Sequence, residues 1–152
     1  MKQLFLAINI ISTSLLAQNN VCFPIANINP NDPALSYFTK YVNVLDCFDI
    51  FAESGISDAK ILHAAAVAAE LLDNNVDGIV DDPEIKLKLI EHSAMMPLLM
   101  HEGSNAEDAL FEYYQGEGIS AVLYNNEIDP NQPGHWGDDA SVEEILHTIN
   151  HV

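Results

Sequence analysis

The sequence predicts an α+β domain that is predominantly helical. The first observation is the alanine- and leucine-rich segment 58–72, which follows Ser57, a good helix N-cap residue. The second is Pro83, which fits the first turn of another helix because a proline lacks the N–H that this turn leaves unpaired. The third is the apolar pattern of residues 118–128, which favours a short strand. We therefore expect two neighbouring helices, a small β element and a C-terminal helix.

Residues 1–18 have the pattern of a cleaved export signal. Lys2 precedes an apolar run from Leu4 to Leu16 that is too short to cross a bilayer, and Ala17 offers a small residue for cleavage. A buried N-terminal helix is the alternative interpretation. The export signal predicts a secreted protein, extracellular or periplasmic, with no membrane insertion after its removal.

The first half of the mature chain divides at Gly55. Residues 19–56 are expected to hold an irregular leader rich in Asn and Pro and then a first helix, whose second half could instead be a strand. Residues 57–96 are expected to form a helix–loop–helix unit that ends before Pro97, because proline interrupts helical hydrogen bonding.

Residues 97–152 are expected to form a small α/β segment. It would begin with a short strand, continue with a helix capped by Asn105, and end with a helix capped by Ser141. Glu144 stands three residues after Ser141, which is the spacing of a capping box. Residues 19–152 would together form one domain.

The charge balance limits the possible partners. The chain has 23 acidic residues against five lysines and no arginine, for a net charge of −18. Removal of Lys2 with the signal would leave four lysines against the same 23 acids, a net charge of −19. Such a chain repels nucleic acid and anionic membranes and attracts cations. Adaptation of an exported protein to salt would produce the same excess of acids.

Two cysteines, Cys22 and Cys47, lie in the exported part of the chain. An exported protein with two cysteines is expected to form one disulfide between them. That bond would close a loop of about 25 residues and contribute about 3 kcal/mol in the chain-entropy model. Two reduced, buried cysteines are the alternative.

The stretch LLDNNVDGIVDDPEI, residues 71–85, concentrates oxygen donors between two expected helices. Calcium takes six to eight hard oxygen ligands, and the twelve-residue EF-hand loop supplies them at fixed positions around a glycine. Residues 73–84 resemble that loop, with Gly78 at its sharp turn and Val80 as the apolar residue that packs inward. The calcium ligands that the resemblance implies are Asp73, Asn75, Asp77, the carbonyl of Ile79, Asp81 and Glu84.

The resemblance to the EF-hand family covers residues 58–95 and implies a helix–calcium loop–helix unit. The stretch DNNVDGIVDD also resembles a single unit of dockerins and thrombospondin type 3 repeats. An acidic turn with its carboxylates in water is the alternative, although repulsion among those carboxylates disfavours it without a cation.

The C-terminal segment EEILHTINHV places Glu144, His147 and His151 on one helical face. Two histidines four residues apart can present both imidazoles to one zinc ion, and the segment partially resembles the HExxH helix of zinc metallopeptidases. Thr148 stands where that family has its general-base glutamate. A solvated or packed histidine pair at a helix C-terminus is the alternative.

These patterns predict a calcium-binding protein in which the ion is structural, and they favour a non-enzymatic role. The first alternative is a truncated or divergent secreted metallopeptidase that binds zinc. The second is an extracellular interaction module whose calcium holds the fold together.

Overall fold

The computed structural model of the protein describes residues 23–131 and 139–152. A five-stranded mixed sheet lies at its centre, with 41% of the described residues in helices and 18% in strands. The prediction of a predominantly helical fold is therefore wrong, whereas α+β is consistent with the structure. The elements in chain order are β1 (Ala26–Asn27), β2 (Phe38–Val44), β3 (Phe48–Glu53), α1 (Asp58–Leu72), α2 (Pro83–Glu91), β4 (Met95–Leu99), α3 (Asn105–Tyr113), β5 (Leu123–Tyr124) and α4 (Ser141–His151).

The strands follow the chain order across the sheet. β1 pairs with β2, and β2 with β3, in antiparallel fashion. β4 then pairs with β3, and β5 with β4, in parallel. A parallel pair requires a crossover connection, and these connections contain α1 and α2 in the first case and α3 in the second.

Helices cover both faces of the sheet. Successive strand residues point to opposite faces, and accordingly Ile50 lies in the larger apolar cluster while Phe51 packs against the smaller one. The larger cluster includes Ile61 of α1, Leu89 of α2 and Ile145 of α4. The smaller one includes Leu110 of α3 together with Leu35, Phe38, Met95, Leu99 and Ala106. The sheet thus separates α3 from the other three helices.

The expected first helix of residues 19–56 is instead the hairpin β2–β3. Phe48, Ile50 and Ala52 are buried and the residues between them are only partly buried, which is the period of a strand. Leu45 and Asp46 both have positive φ angles and reverse the chain. The alternative of a strand in the second half is confirmed. A short 3₁₀ helix, Pro33–Leu35, precedes the hairpin.

The prediction for α1 is confirmed at its N-terminus. Ser57 is the N-cap and its hydroxyl accepts the Lys60 N–H at 3.4 Å. Asp58 lies in the first turn, where the helix dipole favours a negative charge. Pro83 is likewise the first residue of α2, behind Asp82 as its cap.

The end of α2 is earlier than expected. The chain leaves the helix after Glu91, and Ser93 adopts a φ of 52°. The Ser93 N–H donates to the Ile90 carbonyl at 3.1 Å and the Ala94 N–H to the Leu89 carbonyl at 2.8 Å. This is a Schellman ending, in which glycine is the usual left-handed residue. The serine in that position concealed the ending.

Pro97 lies inside β4 and does not follow a helix. All five residues of β4 are buried, so no alternation marks the strand. The Met95 N–H points towards the β5 side and donates to the Gly118 carbonyl at 2.8 Å. Pro97 points to the same side, where β5 pairs only with Leu98 and Leu99. The missing N–H of the proline therefore costs no ladder hydrogen bond.

The caps of α3 and α4 differ from the expected ones by one residue. Ser104, not Asn105, caps α3, and its hydroxyl accepts the Glu107 N–H at 3.2 Å. Ser141 is the first residue of α4, not its cap, and the described contacts include no side-chain cap bond from the preceding Ala140. The expected strand over 118–128 is also reduced to the two residues of β5.

The predicted export signal and Cys22 lie outside the described residues. Cys47 is buried, and its Sγ lies 3.8 Å from the Val44 carbonyl oxygen. Burial raises the pKa of this thiol. The Cys22–Cys47 disulfide stays a prediction. None of the helices in the described part of the chain has the length and apolar character needed to span a membrane.

Candidate metal-binding loop

The acidic loop joins α1 to α2, and its ends are tied together. Asp73 closes α1, because its N–H donates to the Ala69 carbonyl at 2.8 Å. The Asp81 N–H returns to the Leu72 carbonyl at 2.9 Å. Val80 is buried, as predicted, and anchors the returning chain in the larger core. The intervening residues therefore form a closed turn with fixed ends.

Asp73 organises the first half of the loop. Its side chain is buried with the residue only 6% exposed. Oδ1 accepts the Asp77 N–H at 3.2 Å, and Oδ2 accepts the Gly78 N–H at 2.7 Å. Gly78 has a φ of +85°, a conformation that costs a side-chain-bearing residue more than glycine. The chain thus winds around the Asp73 carboxylate.

Asn75 and Asp77 face the loop backbone. The Asn75 Oδ1 accepts the Asp77 N–H at 2.9 Å, and the Asp77 Oδ1 accepts the Ile79 N–H at 2.9 Å. Ile79 itself is 65% exposed, so its side chain lies outside the turn. These contacts are local and follow from the short reach of Asn and Asp side chains.

Asp81 holds the second half of the loop against the first. Its Oδ2 accepts from the Asn74 backbone N–H at 2.9 Å and from Asn74 Nδ2 at 3.0 Å, and its Oδ1 accepts from Asn75 Nδ2 at 3.2 Å. The backbone hydrogen bond from Asn74, followed by the side-chain one, holds the pKa of Asp81 below its usual range. Asp81 is therefore ionised at neutral pH.

Glu84 stands at the start of α2. Asp82 caps that helix, and its Oδ1 accepts the Glu84 N–H at 2.9 Å and the Ile85 N–H at 3.4 Å. The Glu84 carboxylate itself is exposed and makes no hydrogen bond or ion pair within the described residues. It is a free acid close to the fixed end of the loop.

The chemistry of the loop fits calcium, but its present arrangement is not a formed cage. Carboxylate and amide oxygens are the ligands that calcium prefers. Within residues 23–131 and 139–152, no three His, Cys, Asp or Glu side chains converge closely enough to hold a metal ion. The oxygens of the loop instead accept hydrogen bonds from its own backbone and amides. Each carboxylate oxygen that accepts one such bond keeps a second lone pair.

The C-terminal histidine pair is exposed on α4. His147 and His151 are both at the surface, and His147 Nε2 lies 3.8 Å from Glu143, not from Glu144. Glu144 is partly buried, and this burial is the main reason that its pKa is raised. The nearby His147 acts to lower the pKa, whereas Glu143 and Glu127 act to raise it.

Thr148 is fully buried and faces the core, whereas the two imidazoles lie at the surface. The other histidines do not complete a site in the described chain: His92 lies 3.3 Å from Glu117, and His101 contacts the Glu102 carbonyl. His135 lies outside the described residues.

The sequence-based interpretation missed the closest histidine–carboxylate pair. His63 Nε2 of α1 lies 2.8 Å from Asp139 Oδ2, at the start of α4, and both side chains are nearly inaccessible to solvent. The Asp139 Oδ1 accepts the Ser141 hydroxyl at 2.7 Å and the Asp129 N–H at 3.3 Å. The two residues are 76 positions apart, so no local pattern connects them.

Burial of Asp139 acts to raise its pKa, but hydrogen bonds from His63, Ser141 and the Asp129 N–H outweigh it. The net effect holds the pKa of this carboxyl below its usual range. The ionised form of Asp139 is therefore the form that the folded protein stabilises, and it fastens α4 to α1.

Comparison with known proteins adds no relative. No protein-family model, no curated protein and no solved structure matches this chain.

Proposed function

We propose that the protein binds calcium through loop 73–84 and that the ion mainly stabilises the fold. The observation that carries this proposal is the winding of the loop around the buried Asp73 carboxylate, which accepts the Asp77 and Gly78 N–H groups. This contact uses up the backbone donors near the centre of the turn. The loop carboxylate oxygens that accept a single hydrogen bond keep a second lone pair, which a cation could use.

Charge supports the same proposal. Residues 73–84 contain five acidic side chains and no lysine or histidine. Charges of the same sign that lie close together repel, although salt screens exposed ones. A divalent cation would replace this repulsion by attraction. It would also tie the end of α1 to the start of α2.

Ion binding would require a limited rearrangement. Asp81 would exchange its amide contacts with Asn74 and Asn75 for the ion, and Glu84 would turn from solvent towards the loop. The fixed ends at Leu72 and Asp81 reduce the entropy that such closure costs. Sites of this kind in extracellular modules bind calcium with dissociation constants of about 10⁻⁴–10⁻³ M, which suits the proposed secretion.

The test is thermal unfolding of the purified chain in chelator and in about 10 mM calcium, with ionic strength matched by KCl so that screening is constant. For dissociation constants of about 10⁻⁴–10⁻³ M, calcium at this concentration stabilises the folded state by about 1.4–2.7 kcal/mol. Glu84→Gln is expected to remove most of that gain.

Glu91→Gln is the matched control. It makes the same chemical change on α2, at a side chain that is 70% exposed and 3.9 Å from Lys88. This variant is expected to retain the full calcium response. Identical melting of the unmodified chain in chelator and in calcium would refute the proposal.

A further inference from the structure

A second possible ligand site lies on the opposite face of the sheet from the acidic loop. It is a cleft of about 520 Å³ between the 3₁₀ helix Pro33–Leu35 and α3. Two tyrosines, two acids and two small or rigid residues form most of it: Tyr37, Tyr113, Asp108, Glu112, Pro33 and Ala109. Its volume is within the range of about 300–1,000 Å³ that is usual for small-molecule sites.

The walls of the cleft are held by buried neighbours. Asp32 caps the 3₁₀ helix by accepting the Ala34 N–H at 2.9 Å, and Ala34 is fully buried. On the other wall, Ala106 and Leu110 fix α3 in the smaller core. The positions of the side chains that face the cleft are therefore set by packed elements on both sides.

The two tyrosine rings of the cleft are accessible to solvent. Tyr37 is 48% exposed and Tyr113 is 49% exposed, so each ring has a free surface. A hydrogen bond to the Glu112 carboxylate is the main reason that the pKa of Tyr113 is raised. An aromatic face attracts a cation by about 0.5–1 kcal/mol at exposed sites and more where water is excluded.

The acids of the cleft have no counter-ion among residues 23–131 and 139–152. Asp108 and Glu112 lie four residues apart on α3 and therefore on one face. Neither forms an ion pair in the described part of the chain. The four described lysines are engaged elsewhere, with Asp58, the Asn125 carbonyl, the Leu45 carbonyl and Glu91.

From this combination we infer that the cleft binds an alkylammonium group, with the tyrosine rings against its alkyl surface and the two carboxylates balancing its charge. A small free ammonium ion and a lysine side chain of a peptide share this chemistry. A bare metal ion would use the carboxylates and leave the rings without a role. The inference is independent of the calcium loop, because the two sites share no residue.

The experiment is a titration of the full chain in saturating calcium, followed by ¹H–¹⁵N NMR. The probes are choline, its uncharged isostere 3,3-dimethylbutan-1-ol, and the peptide acetyl-Gly-Lys-Gly-amide. Choline or the peptide should shift resonances of the 3₁₀ helix and α3, and the isostere should bind at least about five-fold more weakly. Binding of choline alone identifies a small free ammonium ion as the ligand, and stronger binding of the peptide identifies a lysine side chain.

Single variants test the tyrosine rings and the carboxylates of the cleft separately. Tyr113→Leu and Asp108→Asn are each expected to weaken choline binding by about two- to five-fold. Phe111→Leu, an exposed aromatic on α3 outside the cleft lining, is the matched control and should bind normally. Equal binding of choline and its isostere, or no shift with either cation up to about 50 mM, would overturn the inference.

Discussion

The two buried aspartates, Asp73 and Asp139, compensate their charges in opposite ways. Asp73, 6% exposed, accepts hydrogen bonds from residues four and five positions further along the chain. Asp139, 3% exposed, bonds to His63 on another helix, 76 positions away. The first carboxylate shapes a loop and the second connects two helices.

This difference separates local folding from global folding. The Asp73 contacts can form as soon as the loop turns, before the sheet exists. The Asp139 contact with His63 requires α1 and α4 to be packed together. We therefore expect Asp139 to matter chiefly for overall stability, and Asp73 to matter for the loop and for its response to calcium.

The largest expected effect is that of Asp139→Ala. It leaves His63, the Ser141 hydroxyl and the Asp129 N–H without their acceptor in a buried region. A buried polar group that loses its partner typically costs about 1–3 kcal/mol, and this change affects three such groups. Urea unfolding measures the loss. Asp58→Ala is the control, because its side chain is 68% exposed in its pair with Lys40 and should contribute less than about 1 kcal/mol.

The next effect is that of Asp73→Ala, for which we expect a loss of about 1–3 kcal/mol, because the Gly78 N–H loses its acceptor while the Asp77 N–H keeps the Asn75 Oδ1. This variant should also lose the calcium-dependent rise in melting temperature, whereas Asp139→Asn should keep it. Calorimetric melting with and without calcium checks both. If the calcium-dependent rise in melting temperature survives Asp73→Ala, the ion binds elsewhere, and the proposed role of Asp73 in calcium binding is refuted.

Acid should act through Asp139. Because the folded state holds its pKa below the ordinary value of about 3.9, the stabilisation is complete above that value and is lost as the pH falls through the lower folded value. Stability measured from pH 6 down to pH 2 should therefore fall less steeply in Asp139→Asn than in the unmodified protein. Parallel curves would contradict this assignment.

The smallest effect is expected at Thr148, whose buried hydroxyl has no hydrogen-bond partner in the described structure. Thr148→Val replaces the hydroxyl by a methyl group of similar shape. Since an unsatisfied buried polar group costs about 1–3 kcal/mol, the variant should be neutral or up to about 1 kcal/mol more stable. Lower stability of Thr148→Val in urea would show that the Thr148 hydroxyl does have a hydrogen-bond partner, as the carboxylates of Asp73 and Asp139 do.

The sequence predicted the features that depend on short spacing. Ser57 as a cap, Pro83 at the start of α2 and the burial of Val80 all follow from residues a few positions apart. It failed where long-range packing decides. The β2–β3 hairpin resembled a helix, because aromatic and β-branched residues at mixed spacing do not settle the period without knowledge of which face is buried.

The same limit applies to the candidate sites. The acidic loop was recognisable because its residues are neighbours in sequence. No residue near His63 in the sequence points to its partner, and only the folded chain brings Asp139 to it. The cleft beside α3 could not be predicted either. Tyr37 and Tyr113 are far apart in sequence, and only the folded chain places both at the cleft.

The two margins of the sheet have a consequence for the behaviour of the protein in concentrated solution. β1 and β5, the outermost strands of the described sheet, have two residues each. Long unpaired margins act as templates on which other chains add strands and aggregate. Each outer strand itself offers only two residues to such a template, and the mutual repulsion of molecules that each carry a net charge of −18 protects the rest of the edge.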